Sequence, residues 1–139
     1  VSTYDSTPLL TACEEGHIEI VELLLAQEGI DINIPADNTP LMMASSEGHE
    51  EIVEALVKHG ASVNFQYENG TTPLMEAALY EHQEVVNCLL DSGADVNLED
   101  EHKSTAFNQA CNKESIEIVN RLIGAGSDIN HATIAGWTG

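Results

Sequence analysis

The sequence has very few basic residues. Lys and Arg together number 4 in 139 residues, against 24 Asp and Glu, and the formal net charge is −20. Binding to nucleic-acid phosphates or to an anionic membrane surface depends on Lys and Arg, so the composition disfavours both as direct partners. A strong negative charge speeds encounter with a positively charged molecule, and we therefore expect a basic protein or peptide as the partner.

Cysteines, aromatic residues and long apolar runs are also scarce. Three cysteines are an odd number and give no complete disulfide framework. The aromatic content is 4%, whereas the apolar content of 42% is ordinary for a folded protein. Neither a signal peptide nor an apolar run of membrane length is present. We therefore expect an intracellular location, cytoplasmic or nuclear, and no insertion into a membrane.

Motifs that carry out chemistry are missing as well. The histidines and cysteines show no zinc-ligand spacing, and the sequence has no calcium loop, nucleotide-binding loop or Gly-x-Ser-x-Gly elbow. A site built on two carboxylates stays open, although no sequence feature marks a pocket that would separate two pKa values. We expect no enzyme activity, no metal and no cofactor.

What the sequence does contain is a repeated block. Its start is marked by Thr7, Thr39, Thr72, Thr105 and Thr138, which lie 32, 33, 33 and 33 residues apart by subtraction. A fixed period of this size indicates stacked supersecondary units. Each block predicts two helices of roughly ten residues, shorter than the ~12–15 residues at which an isolated helix becomes marginally stable. Stacking on the next block must therefore supply the burial.

The repeated block resembles the ankyrin repeat. The signature Thr-Pro-Leu-His-x-Ala is matched, apart from its His, at residues 7–12, 39–44 and 72–77, and Thr105-Ala106-Phe107 is a weaker copy. The turn between the two helices is matched by Gly16-His17 and Gly48-His49, whereas Glu81-His82 and Glu114-Ser115 depart from it. The helix-ending glycine and the asparagine after it are matched by Gly29, Gly60, Gly93 and Gly126 and by Asn33, Asn64, Asn97 and Asn130.

The resemblance implies an all-α fold, an α-solenoid of stacked helix-turn-helix units with β-hairpin-like loops. We predict a single domain over residues 1–139, with repeats at about residues 3–34, 35–67, 68–100 and 101–133 and the start of a fifth at 134–139. That start leads us to expect a longer protein. The hairpin between Asn33 and Thr39 is two residues shorter than its counterparts, which predicts either a notch in the binding face or a neutral length variant.

Helical spacing predicts which side chains are buried. In the first unit they are Leu9, Ala12, Cys13, Ile20, Val21, Leu24 and Leu25, and in the last they include Phe107, Ala110, Ile118, Val119, Leu122 and Ile123. Cys13 and Cys111 share one repeat position, which we interpret as a small buried slot. Glutamates of the second helices, such as Glu19 and Glu51, are expected to face solvent.

The resemblance also implies where a partner binds, because ankyrin proteins use the hairpin tips and first helices of their concave face. Carried over position by position, the candidate binding residues are Glu14, Glu15, Met43, Ser46, Glu47, Glu68, Asn69, Thr71, Glu76, Leu79, Tyr80, Glu101, His102, Asn112 and Lys113. They predict an acidic groove with an apolar-aromatic centre at Leu79 and Tyr80, with Met43 as a further candidate, the arrangement of a peptide-binding hot spot. In the alternative, Tyr80 packs against a neighbouring first helix.

We therefore predict a non-enzymatic protein–protein interaction module, monomeric by itself, that binds a basic or mixed basic-apolar peptide or protein surface. Three alternatives stay open. The chain is a regulatory or targeting segment of a larger enzyme, channel or transcription factor; it mimics nucleic acid toward a basic protein; or, as the resemblance implies, it is a substrate for hydroxylation at Asn33, Asn97 or Asn130.

Overall fold

A computed structural model describes residues 7–33 and 39–132 of the chain. Within these ranges it forms eight short α-helices and no strand, so the predicted all-α class is confirmed. The helices are α1 (Pro8–Glu15), α2 (Ile18–Leu25), α3 (Pro40–Glu47), α4 (Glu50–Lys58), α5 (Pro73–Leu79), α6 (Gln83–Asp91), α7 (Ala106–Asn112) and α8 (Ile116–Gly124). None of these eight has the length and apolarity that crossing a membrane requires.

The odd-numbered helices all begin in the same way. The hydroxyl oxygens of Thr7, Thr39, Thr72 and Thr105 accept hydrogen bonds from backbone amides three residues later, at 3.1–3.3 Å. These bonds satisfy amides that have no partner within the helix. Proline occupies the first position of α1, α3 and α5, where a missing N–H costs nothing. The threonine period in the sequence is therefore a period of helix starts.

The helices pack as two parallel rows. The first row contains α1, α3, α5 and α7, each in contact with the next, and the second row contains α2, α4, α6 and α8. Each first-row helix also packs against the helix that follows it in the chain, so that four two-helix layers are stacked. The architecture is the helical-repeat solenoid that the sequence predicts.

One apolar core runs through all four layers. Its fully buried members recur at equivalent positions, as in the series Leu9, Leu41 and Leu74 and the series Ala12, Ala44, Ala77 and Ala110. Burying a leucine-sized side chain contributes about 1.5–3 kcal/mol. The predicted solvent-facing glutamates Glu19 and Glu51 are exposed, as expected.

The loops between layers are short hairpins that bond to one another. In the second hairpin, Tyr67 donates its amide to the carbonyl of Thr71 at 2.9 Å, and in the third Asp100 donates its amide to the carbonyl of Ser104 at 2.9 Å. Glu101 then donates to the carbonyl of Asn69 at 2.8 Å, which joins the two hairpins. The first hairpin, with its predicted notch, lies outside the described residues at 34–38.

The first layer corrects one prediction about the core. Ile20 is 47% exposed and Leu24 is only half-buried, whereas their counterparts one repeat later, Ile52 and Leu56, are almost fully buried. The preceding layer covers this position, because Ile118 in the last layer is buried too. Among the described residues no layer precedes α1 and α2, so Ile20 faces outward.

The last layer corrects two more predictions about buried side chains. Cys111 is exposed although the slot was predicted to be buried, and Ile123 is 48% exposed. Cys13, Ser45 and Ala78, which occupy the position of Cys111 in the earlier layers, are fully buried. A following layer covers that position, and no further layer lies beyond α7 and α8 in the part of the chain that the structure describes.

Candidate functional site

The first-row helices share one face that carries most of the residues predicted to bind a partner. We call it the binding face for that reason and define it by the residues four, seven and eight positions after each capping threonine. The first of these positions holds Thr11, Met43, Glu76 and Gln109; the other two hold Glu14 and Glu15, Ser46 and Glu47, Leu79 and Tyr80, and Asn112 and Lys113. Neighbouring packed helices lie about 8–10 Å apart, so four of them present a row roughly 30 Å long.

Exposure along this face varies from one end to the other. Glu14, Glu15 and Glu47 are exposed on α1 and α3. Tyr80 follows directly after α5 and is 53% exposed, one of the few exposed large aromatic or aliphatic side chains in the described residues. Asn112 and Lys113 at the far end are exposed as well. The face thus runs from carboxylates through an aromatic ring to a lysine.

Beside the binding face, the second and third hairpins form a bonded pair of tips. Glu68, Glu101 and His102 are exposed there, and His102 lies 3.4 Å from the carboxylate of Glu101. The predicted site residues Asn69 and Thr71 have a structural role, because the side chain of Asn69 accepts the Thr71 amide at 3.0 Å and its carbonyl accepts from Glu101. They shape the tip, while the charged side chains project from it.

At the centre of the binding face, Ser46 on α3 is linked to Glu76 and His82, and His82 lies beside Tyr80. Nε2 of His82 donates to the Ser46 carbonyl at 2.9 Å. The ring of Tyr80 lies 6.4 Å from the His82 ring, with a tilt of 32° between the planes. The Ser46 side chain offers a hydrogen bond to the carboxylate of Glu76 on α5. We call Ser46, Glu76, Tyr80 and His82 the central cluster.

The surroundings of Glu76 alter the proton affinity of its carboxyl group. It is half-buried, and this burial raises its pKa above the ordinary value of 4.5, an effect that the Ser46 hydrogen bond partly offsets. No ion pair reaches it within the described residues. A carboxylate that has lost part of its hydration without gaining a cation is therefore placed in the middle of the face.

His49 and His82, for which the resemblance implies a structural role at the inter-helix turn, bond to the layer before them. His49 donates to the carbonyl of Glu14 at 3.3 Å, one layer before it, as His82 does to Ser46. Within residues 7–33 and 39–132, no three His, Cys, Asp or Glu side chains form a group that could hold a metal ion. In the second row of helices, Arg121 spans the groove between α8 and α6 through an ion pair with Asp91 at 2.7 Å.

A family model for ankyrin repeats matches residues 1–67 and again residues 59–133. The chain belongs to the ankyrin-repeat family. Ankyrin repeats are in general protein–protein interaction modules and typically have no catalytic role. A search of curated proteins found no match to the chain. The membership confirms the family that the Thr-Pro-Leu signature indicates, and it agrees with the two-row stack of helices.

Sequence reasoning about this ankyrin chain missed how closely the central cluster is connected. Residue types and repeat positions place Ser46, Glu76 and Tyr80 on one face, whereas they place His82 only at the turn between helices. The sequence did contain a signal for this proximity, because His82 follows Tyr80 by only two residues. In the structure the His82 ring lies beside Tyr80 and bonds to the preceding layer. A structural histidine and a candidate binding tyrosine are therefore neighbours.

Proposed function

We propose that this chain is a non-enzymatic interaction module that binds a basic or mixed basic-apolar peptide or protein surface along the binding face and the adjoining hairpin tips. The observation that supports this most directly is the exposed Tyr80 in a row whose other exposed side chains are polar or charged. An exposed aromatic ring surrounded by polar groups has the composition of an interface hot spot.

The charge distribution supports a basic partner. Residues 1–57 contain no Lys or Arg, and three of the four basic residues, Lys103, Lys113 and Arg121, lie in the last described layer. A long negative field raises the rate of encounter with a cationic partner, and an apolar anchor slows its departure. The proposed site residues are those given above, from Glu14 and Glu15 to Asn112 and Lys113.

The same proposal includes a monomeric chain in an intracellular, cytoplasmic or nuclear, location. The free thiols of Cys13, Cys88 and Cys111 support a reducing environment.

The alternative, a regulatory or targeting segment of a larger enzyme, channel or transcription factor, would use the same binding face. Sedimentation of the purified chain at several concentrations tests the monomer: a weight-average mass that rises with concentration would contradict it.

A selection of displayed random peptides on the immobilised chain tests the function. We expect enriched sequences to be basic with an apolar residue, and their binding to weaken with salt. With one enriched peptide, Tyr80→Ala is expected to raise the dissociation rate, since the anchor is lost. Glu14→Gln combined with Glu15→Gln is expected to slow association at low salt.

The matched control is Glu19→Gln combined with Glu22→Gln. These exposed glutamates lie on α2, in the second row, and the double change removes the same charge from the same layer. If the binding face is responsible, the control changes association less than the α1 pair does. Equal effects of the two pairs, or unchanged kinetics with Tyr80→Ala, would remove the assignment of this face.

A further inference from the structure

The central cluster contains a carboxylate on α5 and an aromatic ring directly after this helix. Glu76 and Tyr80 are four residues apart, a spacing that brings side chains together on a helix surface, and the amide of Tyr80 bonds to the carbonyl of Glu76 at 3.1 Å. Both are connected to Ser46 on α3, Glu76 through its hydrogen bond and Tyr80 through His82. We refer to the surface at Ser46 on α3 and at Glu76 and Tyr80 as the opening between α3 and α5; it carries one carboxylate and one aromatic ring.

The carboxylate in this opening has no cation of its own. In the described part of the chain Arg121 is bonded to Asp91, and none of the lysines forms an ion pair with Glu76. Burial makes the charge of Glu76 costly unless a positive group compensates it. The equivalent positions in the other layers hold the uncharged Thr11, Met43 and Gln109, so the repeat itself does not need a carboxylate there.

From this geometry we propose that the opening between α3 and α5 binds one arginine side chain of the partner, with its guanidinium paired to Glu76 and stacked on the ring of Tyr80. The inference rests on the proposed function and narrows it, because it names the residue type that the centre of the face recognises. Ser46 is the hydrogen-bond partner of Glu76, and the His82 ring lies beside the Tyr80 ring.

Arginine fits this opening better than lysine does. A guanidinium is planar and only weakly hydrated, so it stacks on an aromatic ring and loses less on entering a half-buried site. It also donates two parallel hydrogen bonds to a carboxylate. The ammonium of lysine is a compact, strongly hydrated charge and gains little from a flat ring beside it. We therefore expect discrimination between the two residues, beyond a general preference for positive charge.

A titration followed by NMR tests the inference with acetyl-arginine amide as the probe. The expected result is weak, saturable binding with the largest amide shifts at Ser46 and at residues 76–82. Acetyl-citrulline amide, which has nearly the same shape and no charge, is expected to cause no saturable shift there. Acetyl-lysine amide, a variant of the probe with a free ε-ammonium, is expected to bind about threefold more weakly or worse.

Two substitutions and a matched control distinguish binding at a local site from a general effect of the negative net charge. Glu76→Gln is expected to weaken arginine binding by about tenfold, and Tyr80→Ala by about threefold. Glu84→Gln, an exposed carboxylate on α6 in the second row, removes the same charge and is expected to change binding little. Equal losses from Glu76→Gln and Glu84→Gln, or citrulline bound as tightly as arginine, would overturn the inference.

The peptide selection distinguishes failure of this inference from failure of the proposed function. If selected peptides bind through Tyr80 but show no arginine preference that Glu76→Gln abolishes, the interaction module stands and the arginine site is wrong. If no peptide is enriched and arginine amide causes no shift at the central cluster, both are wrong.

Discussion

The ring of His82 lies against the backbone of Gly48, one layer before it. A Cβ atom on Gly48 would be 2.5 Å from Nδ1 of His82, and the φ angle of Gly48 is +78°. The next junction uses a different pair: Glu81 replaces the glycine at φ +60°, Ser115 replaces the histidine, and the Ser115 hydroxyl donates to the Glu81 carboxylate at 2.9 Å. The two positions change together because a bulky ring leaves no space for a side chain opposite.

We predict that Gly48→Ala destabilises the chain more than the left-handed backbone alone explains. That backbone costs a residue with a Cβ about 1–2 kcal/mol, and overlap with His82 adds about 1–3 kcal/mol. Gly60→Ala is the matched control, because Gly60 has φ +94° and nothing within 4 Å of the added methyl group. Urea denaturation of both variants provides the measurement.

A second substitution tests the coupling itself. His82→Ser by itself is expected to lose about 1 kcal/mol with its hydrogen bond. Combined with Gly48→Ala it should relieve the overlap, so the double variant is expected to be more stable than the sum of the single losses predicts, by about 1 kcal/mol or more. Strict additivity would contradict the steric explanation.

Ile20 and Ile52 provide a prediction from identical residues at equivalent positions. Ile52 is 1% exposed and Ile20 is 47% exposed. Ile52→Ala is expected to cost about 2–5 kcal/mol, because it removes buried atoms and leaves a cavity, whereas Ile20→Ala should cost less than about 1 kcal/mol. Thermal or urea unfolding measures both. Equal losses would show that a further layer covers Ile20.

This pair also shows how far the sequence could predict the fold. The threonine period and helical spacing were sufficient for the two-helix layers, the caps and most of the core, because each depends on residues close together in the chain. Exposure of Ile20, Cys111 and Ile123 depends on which layers lie against them, and contacts such as His82 with Ser46 depend on the register between layers. Neither is determined by the local pattern.

Asn64 fastens one hairpin to the next, and its loss is expected to be costly. Its side-chain oxygen accepts the amide of Asp95 at 2.7 Å and its nitrogen donates to the carbonyl of Gly93 at 3.3 Å. Asn64→Ala should lose about 1–3 kcal/mol of unfolding free energy. Asn130 occupies the same position in the last layer, and its side chain has no such bond within the described residues. Asn130→Ala is therefore the control and should cost almost nothing.

The three cysteines should differ strongly in reactivity. Burial raises the pKa of the Cys13 thiol to about 12, and burial together with neighbouring carboxylates, chiefly Glu54, raises the pKa of Cys88. Cys111 is exposed. Because the thiolate is the reactive form, we expect native protein at pH 8 to be alkylated at Cys111 first, then at Cys88, and at Cys13 only on unfolding. Mass spectrometry of iodoacetamide-treated protein over time gives the order, and early labelling of Cys13 would contradict its buried position.

Glu76 predicts a pH dependence of stability whose sign is opposite to that of an ion-paired carboxylate. Its pKa is higher in the folded chain than in the unfolded one, chiefly because the side chain is half-buried, so folding favours the protonated form. Its contribution is most favourable at pH below 4.5, the ordinary pKa, and is lost as the pH rises through the higher folded value. Glu76→Gln should therefore gain stability relative to the native chain between acidic and neutral pH.

Glu84→Gln corrects for the general relief of negative charge, and unfolding curves at pH 4 and pH 7 give the comparison. A gain for Glu76→Gln no larger than that for Glu84→Gln would show that its carboxylate is solvated as well as any on the surface, and the cost of leaving it without a cation would then disappear as an argument for the arginine site.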